Sequence, residues 1–130
     1  MTTTERVQLD SLEFYFGYPQ MNEQILALET EADQLRGDGK FEEAVAKLTE
    51  ALAIDENFAR GHLGLSVLFH HLNDYAKSCY HGEKACEIEP NDKFNLSALS
   101  VTYQRAFEGT RDPMYIQKAE DAMAKSRSGG

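Results

Sequence analysis

The sequence has no tryptophan and only three prolines and two cysteines, and its basic residues are outnumbered by acids, 13 to 22. It has no apolar run near the ~18 residues that a membrane span needs. The opening "MTTTERVQLDS" carries acids and hydroxyls where a signal peptide would have a basic and then a greasy segment. A soluble, intracellular, cytoplasmic protein is therefore expected. Residues 1–92 hold 18 acids against 7 Lys or Arg, and residues 93–130 hold 4 against 6. Nucleic-acid binding needs a concentrated basic face, and the first two thirds of the chain present the opposite. What is present is 42% hydrophobic and 27% charged, a globular balance. At 130 residues the chain makes one ordinary domain, able to bury roughly two thirds of its unfolded surface without a disulfide or metal staple.

The organising feature is a repeat. Laying "GKFEEAVAKLTEALAIDEN" over "NDYAKSCYHGEKACEIEPN" puts Phe41 on Tyr75, Ala44 on Ser78, Ala51 on Ala85 and Ile54 on Ile88, always 34 residues apart. The same offset aligns Leu35, Phe69 and Tyr103, then Ala32, Ser66 and Ser100, then Leu28, His62 and Leu96. Within "EEAVAKLTEALAI", Ala44, Leu48, Ala51 and Leu52 form an apolar helical stripe with charge opposite. Gly39 and Asn73 fall where one helix must turn sharply into the next, and Pro90 stops a helix. The small residues 32, 66 and 100 admit a neighbouring helix closely. No single hairpin can bury its stripe, so stacked neighbours must complete the core.

This pattern resembles the tetratricopeptide repeat, a helix–turn–helix unit of 34 residues, over about residues 25–126. The resemblance implies an all-α solenoid of three units, 25–58, 59–92 and 93–126, with an N-terminal arm over 1–24 and a tail over 127–130. Glu31, Glu56 and Gly82 depart from the consensus, and "FEGTRDP" adds about seven residues before the last helix. Asp112 and Pro113 make a good start for that helix. In the family, the first helix of each unit lines a concave groove that holds a peptide or a partner's helix. The matching positions are Leu26, Glu29, Thr30 and Asp33, then Arg60, Leu63, Gly64, Val67 and His71, then Phe94, Ser97, Ala98, Val101 and Arg105. Family members that serve the major heat-shock chaperones clamp a terminal carboxylate with Lys, Asn, Asn, Lys and Arg. Here those positions are Glu29, Asp33, Gly64, Phe94 and Ala98, and two of them are acids. The groove mixes an acidic end with an apolar middle, where Gly64 and Ala98 leave room for a bulky side chain. An apolar peptide or helix, with basic character at the acidic end, suits it.

His70, His71, Cys79, His81 and Cys86 suggest zinc only until they are placed on helices. His70 and His71 are ~100° apart. Cys79 and Cys86 occupy the columns of Val45 and Leu52, which are core columns, and seven helical residues hold them ~10 Å apart, too far for a disulfide. The expectation is core thiols, surface histidines, and no metal or cofactor. Neither a phosphate loop, a nucleophile elbow nor HExxH is present, so no enzyme is expected.

There remains "LEFYFGYPQ", with Phe14, Tyr15, Phe16 and Tyr18 inside five positions. Gly17 and Pro19 argue for a bent or extended arm. Four rings are costly to expose. The arm can cap the first hairpin, fill the groove of its own chain, or bind a second copy or another protein. The sequence thus points to a non-catalytic adaptor or scaffold. Two alternatives are a secretion-type or assembly chaperone that shields an apolar client segment, and a structural homo-oligomer whose groove is self-filled.

Overall fold

The computed structural model describes residues 17–128, with side chains from residue 23 onward. Phe14, Tyr15 and Phe16, and the side chain of Tyr18, lie outside the described residues. Six helices make up the described chain, and no strand occurs among them: α1 (Gly17–Gly37), α2 (Phe41–Ile54), α3 (Ala59–His71), α4 (Tyr75–Ile88), α5 (Lys93–Thr110) and α6 (Met114–Arg127). Each packs on the next in sequence, and α3 also packs on α5. The result is three stacked hairpins, α1–α2, α3–α4 and α5–α6.

The turns follow from local chemistry. Gly39 and Asn73 adopt left-handed backbone at φ +78° and +63°. Each lets the following N–H reach back to a carbonyl of the departing helix, Lys40 to Leu35 and Asp74 to Phe69, both at 2.8 Å. Asp74 accepts from the Lys77 N–H and Asp92 from the Asn95 N–H, capping α4 and α5. Pro113 holds the capping position of α6, and Asp112 just before it accepts from the Met114 N–H.

Two features differ from the sequence expectation. Residues 17–24 are helical, forming the first two turns of α1, rather than a bent or extended arm. Pro19 is tolerated because it falls in the first turn, where its missing N–H would have no helical partner anyway. The extra residues of the third unit are also mostly helix, since α5 continues through Phe107, Glu108, Gly109 and Thr110. Gly109 makes that extension possible, because a Cβ there would collide with the Tyr75 ring.

The core has two parts. Ala32, Ala44, Leu48, Leu65 and Leu68 form one, and Cys79, Leu99, Tyr103, Ala106, Ala119 and Ala122 form the other. A polar seam lies between them. Ser78 Oγ donates to the Ser66 carbonyl at 2.7 Å, and Ser66 Oγ lies 3.2 Å from Thr102 Oγ1.

The consensus departures now have physical reasons. Leu65 and Leu99 are buried, but Glu31 in the same column is exposed and sits 3.3 Å from Lys47 Nζ. That column packs each unit on the one before it, and no described helix precedes α1. At Gly82 the missing side chain admits Leu99, whose Cδ1 lies 3.1 Å from where a Cβ would stand.

Both cysteines are unpaired, Cys79 buried and Cys86 half-buried. Burial, then Glu83, pushes the Cys79 thiol up to about 11, and burial also raises Cys86. The reactive thiolate is therefore scarce. Iodoacetamide at about pH 8 should label both slowly in the folded protein and quickly after unfolding in urea, read by mass spectrometry. Rapid labelling of Cys79 before unfolding would contradict its placement.

Candidate functional site

The first helices α1, α3 and α5 form the inner layer. α3 packs on α5, whereas no comparable packing joins α1 to α3, α2 to α4 or α4 to α6. Between the second and third hairpins the first helices therefore approach more closely than the second ones, which curves that part of the stack toward α3 and α5. α1 joins this layer through Arg60, whose Nε and Nη2 donate to the two carboxylate oxygens of Glu29 at 2.9 and 2.8 Å. The hydrogen bond to Glu29 raises the Arg60 pKa.

The candidate residues divide by what they touch. Leu26, Phe94 and Val101 present 50%, 71% and 39% of their surface to solvent. Leu63, Val67 and Ala98 are half-buried between them in the repeat register, and Thr30, Asp33 and Arg105 are exposed. Asp33 has Arg36 4.0 Å away. Four residues are engaged elsewhere. Glu29 is committed to Arg60, so the acidic end carries less free negative charge than the sequence implies. Gly64 does not open a hole for a ligand, because a Cβ there would stand 2.6 Å from Leu48 Cδ1; the space is filled by α2. Ser97 Oγ lies 2.9 Å from Ser126 Oγ on α6. His71 stacks on Phe41 with centroids 4.6 Å apart.

The histidines also differ from expectation. His62 is buried and His81 half-buried, with their Nδ1 atoms 3.0 Å apart. His62 Nε2 lies 3.2 Å from the Glu56 carbonyl, which only a protonated nitrogen can satisfy. The His62 Nδ1 lone pair then accepts from His81 Nδ1–H, so His62 is neutral, and burial favours the neutral form of His81 as well. His81 is not a surface residue; it stacks on Phe69, centroids 5.6 Å apart. The missed signal is the column Leu28, His62, Leu96, which places an imidazole at a core position. His70 is half-buried, and its Nδ1 has no hydrogen-bond partner among the described residues. Among the described residues no three His, Cys, Asp or Glu side chains converge as a metal-ligand set.

Burial, then His62 and Lys77, lowers His81 to about 4, and burial lowers His62 against the opposing hydrogen bond to the Glu56 carbonyl. A folded pKa below the unfolded value means that the unfolded chain binds more protons in that window. Stability is then complete above about pH 6.5 and declines as pH falls toward 4. A melting series from about pH 7 to about pH 5 should fall for the native chain and fall less for His81→Phe. Equal slopes would contradict the neutral pair.

A pocket of about 550 Å³ lies outside the candidate residues described above. It is the slot between α5 and α6, with Ser100, Phe107, Ile116, Ala119 and Met123 among its walls. The sequence held a signal for it in Ser100, the last member of the small-residue column.

Comparison with known proteins places the fold. No family model and no curated protein matches the chain. Among solved structures, the second TPR of Spaghetti (RPAP3) bound to HSP90 peptide SRMEEVD superposes with a TM-score of 0.69 at 14% identity, covering 88% of this chain and 100% of that one. The first TPR of the same protein, bound to the same peptide, gives 0.58 at 14%, covering 82% and 92%. The chain therefore has the tetratricopeptide-repeat fold, an all-α solenoid of helix–turn–helix units. Among the described residues no helix is long and apolar enough to cross a membrane.

Proposed function

We propose that the chain is a non-catalytic adaptor that holds an apolar stretch of another protein on the concave face of α1, α3 and α5. The carrying observation is that Leu26, Phe94 and Val101 are exposed at 50%, 71% and 39% on the inner helices. These account for three of the six exposed large hydrophobic side chains in the described residues. Exposed apolar surface on a concave face is a reason to expect a partner.

Such a partner differs from the acidic peptide held by the two structural neighbours. Here Asp33 is exposed, Glu29 is already paired, and Phe94 and Ala98 offer no charge to a carboxylate. Titration calorimetry with SRMEEVD should give no measurable heat of binding. A peptide rich in Leu or Phe, taken from a partner recovered by pull-down, should bind with little salt dependence. Micromolar binding of SRMEEVD would overturn the apolar preference.

A further inference from the structure

The slot between α5 and α6 repeats a site that this chain fills twice within itself. α3 lies in the corresponding slot of the first unit, where Gly64 meets Leu48, and α5 lies in that of the second, where Leu99 meets Gly82. In the third unit the equivalent walls are Ser100, Ala119 and Met123, and no described helix occupies them. The slot thus has the shape of a chain-binding site rather than a surface dimple.

Its chemistry favours rings. Met123 supplies a polarizable thioether, which makes favourable contacts with aromatic edges. Arg111 already lies over the Phe107 ring, 5.3 Å from its centroid, and both line the slot. Ile116 adds an aliphatic wall that is 43% exposed. Glu108 and Glu120 line the slot beside Arg111, so rings rather than charge decide its occupant. The sequence contains a ring-rich segment, Phe14, Tyr15 and Phe16.

We propose that the aromatic segment at Phe14–Phe16 of one copy docks in the α5–α6 slot of a second copy. The slot of its own chain is out of reach. Three residues at most separate these rings from Gly17 at the start of α1, and three extended residues span about 10 Å. α3 and α5 stand between α1 and the slot, and helices pack 8–10 Å apart, so the gap is roughly 25 Å. Nor does α1 itself suit the slot, because its residues in the docking columns, Thr30, Glu31 and Gln34, are exposed and polar. A head-to-tail contact of this kind does not use up its own binding surface, so assemblies grow with concentration.

Light scattering on the full chain tests this. Average mass should rise from monomer to dimer and beyond as concentration increases. Two full-length variants should each stay monomeric: Phe14→Ser with Phe16→Ser, which lacks the rings, and Ile116→Glu, which spoils the slot at an exposed position. Mixed together, they should form a one-to-one heterodimer and nothing larger, because one intact segment and one intact slot remain. A labelled peptide of residues 9–20 should bind the ring-less variant and fail to bind Ile116→Glu, with circular dichroism verifying that both are folded. A native chain that is monomeric throughout overturns the proposal and leaves the slot to an outside partner. Association that survives either variant, or a mixture that fails to pair, overturns it equally.

Discussion

Leu68→Ala is expected to lower unfolding free energy by about 3 kcal/mol, the middle of the range for a fully enclosed leucine. Leu68 is 1% exposed and sits among Ala32, Ala44, Leu48 and Leu65, where the first two hairpins meet. These neighbours belong to three different helices, so none can move into the void without losing its own contacts. For a domain of this size the melting temperature should drop by roughly 10 °C. Leu26→Ala is the control. Its side chain is 50% exposed on α1, and its loss should change stability by no more than about 0.5 kcal/mol. Thermal melts followed by circular dichroism make the comparison. Similar shifts for the two variants would mean that the hairpins do not share this core.

The second large effect concerns binding. Val67→Glu combined with Phe94→Glu should abolish capture of the partner while leaving helical content and melting nearly unchanged. Phe94 is 71% exposed, so a carboxylate there remains in water when the protein is alone. Val67 is half-buried and stands next to the solvent-facing inner surface. Once an apolar segment lies across them, both carboxylates lose water without gaining a partner, at a cost of several kcal/mol. A loss of that size reduces affinity more than a hundredfold. Calorimetry of the variant against the recovered partner peptide checks it. Retained affinity would place the partner on another surface.

Much of the fold could be read from the sequence, because a 34-residue register exposes core columns directly. Leu65 and Leu99, or Ala44 and Ser78, follow from size alone. Leu68 was not legible in this way. Its register mates are Gln34, exposed on α1, and Thr102, which faces Ser66 in the polar seam. The same column has three environments because a first, a middle and a last unit have different neighbours. Glu31 is explained by the same end effect. Helix ends misled for a related reason: Gly and Pro signal a break on average, yet Pro19 lies in a first turn and Gly109 packs on Tyr75.

The proposed groove was legible as a row of positions but not as a set of contacts. The tetratricopeptide resemblance assigns Leu26, Phe94 and Val101 to it, and all three are exposed. It could not tell that Glu29 would be spent on Arg60, that Gly64 would seat Leu48, or that His71 would lie on Phe41. Those outcomes depend on distances between helices, which periodicity within one helix does not carry. The His62–His81 pair is similar, since each ring is ordinary until the other comes within 3.0 Å.

The most direct test of the concave face is site-specific photo-crosslinking in cell extract. Benzoylphenylalanine at Phe94, an aromatic replacement for an aromatic, is compared with the same probe at Glu50, an exposed position on α2. The expected result is a discrete crosslinked product from position 94 that disappears when Val67→Glu is added, and none from position 50. Products of equal yield from both positions, or a product at 94 that is indifferent to Val67→Glu, would contradict partner binding on the inner face of α1, α3 and α5.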